Sequence, residues 1–132
     1  MKTNAFTIGF LAKAADVNIE TVRYYQRIGL ISKPAKPAQG YRVYPQATLQ
    51  RIKFIKRAQQ LGFTLQEIAE LLELGEGNCE DVRLRAEQKC SQIDNQIKDL
   101  QKLRGNLKQL ITTCKNKSTD KHCAIVEALS AP

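Results

Sequence analysis

Apolar residues in the first part of the chain recur in short bursts at helical spacing. Ile8, Leu11, Ala12 and Ala15 fall at i, i+3, i+4 and i+7, which predicts a helix over 8–15 capped by Thr7. Asp16-Val17-Asn18 reads as a short turn. Asn18 is the N-cap of a second helix over 19–27, and Glu20 suits that helix's positive end. The second helix carries Thr21, Arg23, Tyr24, Tyr25, Gln26 and Arg27, a polar set able to hydrogen-bond bases or phosphates from a major groove. Gly29-Leu30-Ile31 ends it. Residues 32–44 read as a β-hairpin wing: Tyr41 and Val43 alternate around Arg42, and Pro34, Pro37 and Gly40 punctuate the segment. Lys33, Lys36 and Arg42 are placed to meet phosphates.

A third helix is expected over 46–61, with Leu49, Ile52, Phe54, Ile55 and Ala58 apolar. Arg51, Lys53, Lys56 and Arg57 line its other faces and are candidates for backbone contacts. Leu61-Gly62-Phe63 breaks it, and Thr64-Leu65-Gln66-Glu67 is a capping box that opens a fourth helix carrying Ile68, Leu71 and Leu72. Gly75-Glu76-Gly77-Asn78 is a flexible joint. Beyond it the pattern changes. Ala86, Cys90, Ile93, Ile97, Leu100, Leu107, Ile111 and Cys114 follow alternating steps of four and three, broken only at Arg104, beside Leu103. Four heptads at this spacing describe a coiled-coil seam on one helix over 80–113. With no second apolar face on that helix, a second copy of the chain is the simplest partner. Periodicity does not decide between parallel and antiparallel pairing.

The fold class expected is therefore mainly α: an N-terminal winged helix-turn-helix (1–75), a long dimerisation helix (76–113), and a C-terminal loop and tail (114–132). Composition agrees. The chain has 132 residues, is 42% hydrophobic, and has no Trp. Its core is mostly Leu and Ile, which suits helices. No apolar run approaches a membrane span, and residues 1–5 lack the apolar stretch of a signal peptide, so a soluble cytoplasmic protein with no membrane partner is expected. Net charge is +8, and residues 1–45 hold seven Lys or Arg against two acids. A basic end on a nearly balanced body points to a polyanion there, and with the polar second helix to double-stranded DNA. The candidate DNA contacts are Thr21, Arg23, Tyr24, Lys36, Tyr41, Arg42 and Lys53.

The four cysteines add chemistry. In a reducing compartment they are thiols or metal ligands rather than a disulfide framework. Cys90 sits on the seam and is assigned to packing. Cys79 opens the long helix, Cys114 closes it, and Cys123 lies nine residues further on, past Lys-Asn-Lys-Ser-Thr-Asp-Lys-His. One helix over 80–113 is about 50 Å long at 1.5 Å per residue, so Cys79 and Cys114 of one chain cannot share an ion. Parallel pairing sets Cys79 beside Cys79. Antiparallel pairing sets it beside Cys114 and Cys123 of the partner, a metal site built across the dimer. Three sulfurs suit a soft ion. A closed Zn(II) site prefers four ligands, which brings in His122, a carboxylate or water. An enzyme with a nucleophilic cysteine would need a base beside it, and the only histidine lies in the loop; the chain is expected not to be an enzyme. A DNA-binding protein with a purely structural metal is the other alternative.

Several runs together resemble the MerR family of bacterial transcription regulators: 7–13 (Thr-Ile-Gly-Phe-Leu-Ala-Lys), 20–25 (Glu-Thr-Val-Arg-Tyr-Tyr), 40–44 (Gly-Tyr-Arg-Val-Tyr) and 61–68 (Leu-Gly-Phe-Thr-Leu-Gln-Glu-Ile). The resemblance covers nearly the whole chain, in order. It implies a homodimer with an antiparallel coiled coil. A cysteine before the dimer helix and two flanking a short loop are similar to the family's mercury(II) sensors, which implies Hg(II) held by Cys79 of one chain with Cys114 and Cys123 of the other. Ala124 where a proline is frequent, and His122 as an added donor, keep Zn(II), Cd(II) and Pb(II) open as inducers. The resemblance further implies a promoter-bound dimer that holds RNA polymerase unproductively without metal. With metal it distorts the DNA and activates a resistance operon.

Overall fold

A computed structural model of the protein describes residues 5–117 and 123–132. It is mainly helical, in the order β1 (Ala5–Phe6), α1 (Ile8–Ala15), α2 (Ile19–Arg27), β2 (Tyr44–Pro45), α3 (Gln46–Gln60), α4 (Leu65–Leu74), α5 (Cys79–Lys117) and α6 (Ala124–Ser130). The chain divides into two compact units, Met1–Val82 and Arg83–Pro132.

Local signals set the helix starts of the first unit. The Thr7 hydroxyl accepts from the Phe10 amide at 3.2 Å, and Asn18 Oδ1 accepts from the Thr21 amide at 2.7 Å. At Thr64 both halves of the capping box form, at 2.8 and 3.1 Å. Each such cap satisfies backbone donors that a helix start leaves open and is worth about 1 kcal/mol. The turn between α1 and α2 depends on Asp16, which ends α1 in the left-handed region at φ 56° while its amide bonds back to Ala12 and Lys13. Asp adopts that conformation more readily than most side chains.

Packing then joins the four helices. Leu11, Val22, Ile52, Ile55 and Ile68 are fully buried, at least one from each of α1 to α4, with Tyr25, Leu30, Ile31, Tyr44 and Leu49 around them. Each large aliphatic in this cluster contributes about 1.5–3 kcal/mol by leaving water. Polar side chains lock the same elements. Tyr25 donates to Gln59 Oε1 at 2.7 Å, and Gln26 Nε2 donates to Tyr44 Oη at 2.8 Å. Lys56 Nζ donates to the carbonyls of Ala15 and Asp16 at 3.2 and 2.8 Å and lies 3.3 Å from the Asp16 carboxylate. A cation there complements the negative end of α1.

Three expectations change. Tyr25, read among the groups free to meet nucleic acid, is a core residue whose pKa is raised by burial. Lys56, read as a candidate backbone contact, is spent on the α1 terminus. The wing is not a hairpin of its own. Residues 33–43 form no strand, and the two-residue strand β2 pairs antiparallel with β1, Phe6 facing Tyr44 and Ala5 facing Pro45. Pro34 and Pro37 supply no amide hydrogen and Gly40 sits at φ 87°, so a ladder cannot run through the segment. Arg42 holds the loop instead, its Nε donating to the Pro34 carbonyl at 3.0 Å.

The second unit is most of α5 plus α6. α5 runs from Cys79 to Lys117, slightly longer at both ends than the seam pattern suggests. Ile93, Ile97, Leu100, Leu103, Leu107 and Ile111 are all exposed, between 36% and 63%. α6 is not foreshadowed by the sequence reading, which left 114–132 as loop and tail.

Candidate metal centre and nucleic-acid interface

Two sets of chemically capable side chains stand out, one in each unit. In the first unit, α2, the wing and the start of α1 surround an open cleft of about 850 Å³. Arg23 and Arg27 enter from α2, Lys33, Tyr41 and Arg42 from the wing, and Thr7, Ile8 and Gly9 from the start of α1. Four cations share this concave wall with one carboxylate, Glu20, which leaves it net basic. Tyr41 is 83% exposed. Arg27 lies over the Tyr24 ring, 5.5 Å from its centroid, which pins both side chains on the exposed side of α2. The Arg23–Glu20 pair, at 3.9 Å and well exposed, adds little to stability.

Of the seven candidate DNA contacts, the cleft brings together Arg23, Tyr41 and Arg42. Lys36 is exposed and Lys53 half-buried, and neither lines the cleft; nor do Thr21 and Tyr24. The Thr21 hydroxyl donates to Asn18 Oδ1 at 2.8 Å, so it is shared with the cap of α2. Arg27 and Lys33 also belong to the cleft; both were read as able to meet phosphates but stood outside the seven candidates. Their signal was available, since both are basic residues flanking the same turn.

In the second unit Cys114, near the end of α5, and Cys123, at the N-cap of α6, share a side-chain hydrogen bond. Cys114 is half-buried and Cys123 exposed. Partial desolvation raises the Cys114 pKa, and its hydrogen bond to Cys123 and that group's charge raise it further, against a small opposing effect of the Ala124 amide. Cys123 goes the other way. The amides of Val126 and Ile125 lower its pKa, and the hydrogen bond from Cys114 adds to this, against desolvation and the Glu127 charge. Neither amide makes a full capping bond to the sulfur. Their orientation at the start of α6 is still enough to favour the thiolate. Cys114 thus holds its proton more tightly, and Cys123 releases its proton more readily, than an ordinary thiol.

A pair of neighbouring thiols is a donor type that suits a thiophilic ion. Cys79 opens α5 and is exposed. Helix geometry over 35 residues puts it about 50 Å from Cys114 of its own chain. Among the described residues no three His, Cys, Asp or Glu side chains gather into one site. His122 lies outside the described residues. Cys90, on α5, is exposed like the rest of its stripe.

Comparison with known proteins places this arrangement. The pattern of the MerR HTH family regulatory proteins matches residues 6–74, and that of the MerR DNA-binding region matches residues 49–110. The chain belongs to the MerR family. This MerR-family chain is 43% identical to the mercuric resistance operon regulatory protein of Shigella flexneri, over 93% of its own length and 86% of the relative's. Among solved structures it is similar to the mercury(II)-bound regulator MerR of Bacillus megaterium MB1. There the identity is 40%, the TM-score 0.73, and the coverage 96% and 100% of the two chains. It is also similar to the lead(II)-bound regulator PbrR691 of Ralstonia metallidurans CH34, with 33% identity, a TM-score of 0.81, and coverage of 95% and 99%. The winged helix-turn-helix expected from the sequence is thus the family's DNA-binding domain, and no helix among the described residues is long and apolar enough to cross a membrane.

Proposed function

We propose that this protein is a metal-responsive transcription regulator of a mercury-resistance operon, and not an enzyme. It binds promoter DNA as a homodimer, represses without metal, and activates with RNA polymerase when Hg(II) binds. The observation that carries the reading is the Cys114 and Cys123 thiol pair, in a chain 43% identical to a mercuric resistance regulator. Cys114 and Cys123 of one chain and Cys79 of the other supply three thiolates, a donor set matched to a soft ion. The exposed stripe from Ile93 to Ile111 supports pairing of two α5 helices, and the family resemblance implies the antiparallel direction that brings the third sulfur.

The cleft lined by Arg23, Arg27, Lys33 and Arg42 docks the DNA backbone. α2 offers its exposed side chains to base edges. A site that ties the two chains together moves one DNA-reading head relative to the other when it fills. Promoter response then follows from deformation of the DNA between the two heads, an indirect readout.

Lead(II) is the second reading, because the lead(II)-bound relative has the higher TM-score, 0.81 against 0.73. Identity runs the other way, 40% against 33%, and donor residues rather than backbone superposition select an ion. Titration of the reduced dimer with Hg(II), Pb(II), Cd(II) and Zn(II), with promoter output read alongside, tests both. Hg(II) is expected to induce at the lowest concentration. Cys79→Ala, Cys114→Ala and Cys123→Ala are expected to abolish induction while leaving operator binding in place. A Cys79→Ala protein that still activates at ordinary metal levels would rule out the site shared between chains.

A further inference from the structure

Few polar side chains of α2 are left to read a base. Tyr25 is buried and bonded to Gln59. Gln26 donates to Tyr44, and the Thr21 hydroxyl donates to Asn18. Arg27 lies over the Tyr24 ring. Glu20 and Arg23 remain, one turn apart on the cleft wall, with side chains 77% and 59% exposed. Glu20 is the unexpected one. It is the single carboxylate among the described residues that line the cleft, beside Arg23, Arg27, Lys33 and Arg42. A carboxylate repels phosphates, so on a surface that met only the DNA backbone it would cost affinity. Its ion pair with Arg23, 3.9 Å long between exposed groups, returns little in stability.

Base edges offer what a carboxylate can use. It only accepts hydrogen bonds, and the donors in the major groove are the N4 amine of cytosine and the N6 amine of adenine. Adenine sets its amine beside the N7 acceptor, which faces a carboxylate with like polarity. Cytosine has no acceptor next to its amine on the same base edge. Glu20 lies in the first turn of α2, and the first residues of a helix-turn-helix recognition helix are those that reach base edges. We propose that Glu20 is a specificity-determining residue that reads a cytosine in each operator half-site, its carboxylate accepting from the N4 amine. Arg23, one turn on, offsets the charge that Glu20 carries into the groove. Cytosine reading rests on α2 being the helix that enters the major groove.

The test uses the whole reduced protein as wild type, Glu20→Ala and Glu20→Gln, each selecting from a pool of randomised DNA duplexes at one salt concentration. Affinities are then measured for the selected duplex and its single-base variants. Wild type is expected to select an inverted repeat with a fixed cytosine in each half, and replacing that cytosine should weaken binding roughly tenfold. Glu20→Ala should lose the preference at that position alone and bind random-sequence duplex more tightly than wild type. Glu20→Gln should move the preference to adenine, because an amide both accepts and donates and so matches N6 and N7 together. A role confined to the start of α2 predicts a lower melting temperature and a uniform loss of affinity on every duplex. That result, or an unchanged base preference in both variants, overturns the assignment. Selection of no inverted repeat by the wild type overturns the groove-reading role of α2 itself, and the cytosine contact with it.

Discussion

The two units of this chain satisfy their apolar residues in opposite ways. In the first, Leu11, Val22, Ile52, Ile55 and Ile68 are sealed within a single chain. Hydrogen bonds from Tyr25, Gln26 and Lys56 tie the helices that carry them. In the second, the periodic stripe along α5 stays in water, and no apolar side chain beyond Ile68 is fully buried among the described residues. A head built from short helices closes its own core because four helices can surround one cluster. A lone helix has nothing to wrap around, so its stripe requires another helix. The reading head is thus complete in one copy, whereas the seam, and with it the three-sulfur site proposed above, needs two.

That contrast can be broken at either end. The largest effect is expected at the seam: Leu100→Asp puts a charge into the apolar stripe and should turn the dimer into monomers with loss of operator binding, measured by sedimentation and gel shift. The head should stay folded, and a dimer that persists would sink the seam assignment. Next comes the core. Ile52→Ala should cost about 2–5 kcal/mol of unfolding free energy, read as a lower urea midpoint at unchanged slope, because the cavity cannot be relieved by a partner. At the cleft, Arg23→Ala should weaken operator binding by about 1–3 kcal/mol with metal affinity intact, and Lys53→Ala, if it meets a phosphate, should lower the salt slope by about 1. The smallest effect is expected at Cys90. Cys90→Ala should destabilise the dimer by about 1 kcal/mol or less and leave induction unchanged. A loss of induction there would move Cys90 from packing into the metal site.

Much of the first unit was legible because its signals are local. Thr7, Asn18, Thr64 and Glu67 act on amides three residues away, so their spacing alone locates α1, α2 and α4. The heptad series located α5 for the same reason. Errors arose where neighbours distant in sequence decide. Tyr25 looks like a base-reading aromatic until Gln59, 34 residues on, takes its hydroxyl. Lys56 looks like a phosphate contact until the end of α1, some 40 residues earlier, claims its ammonium group. Alternation around Arg42 looks like a strand, but the prolines deny it a ladder, and the available strand partner is Ala5–Phe6 rather than the wing itself.

The candidate metal centre divides in the same manner. The three cysteines and their spacing are visible in the chain, as is the impossibility of joining Cys79 to Cys114 along one helix. The short helix α6 is not visible, because seven residues carry too few turns to establish a period. It is α6 that gives Cys123 the Val126 and Ile125 amides, which lower its pKa while that of Cys114 is raised.

By itself the sequence determined the helical order, the caps and the periodic stripe along α5, all features governed by chemistry within a few residues along the chain. Only the tertiary structure decided which polar side chains are spent inside the head and where the wing finds its strand partner. Those outcomes depend on contacts between segments that are far apart in sequence, whose energies no local pattern records.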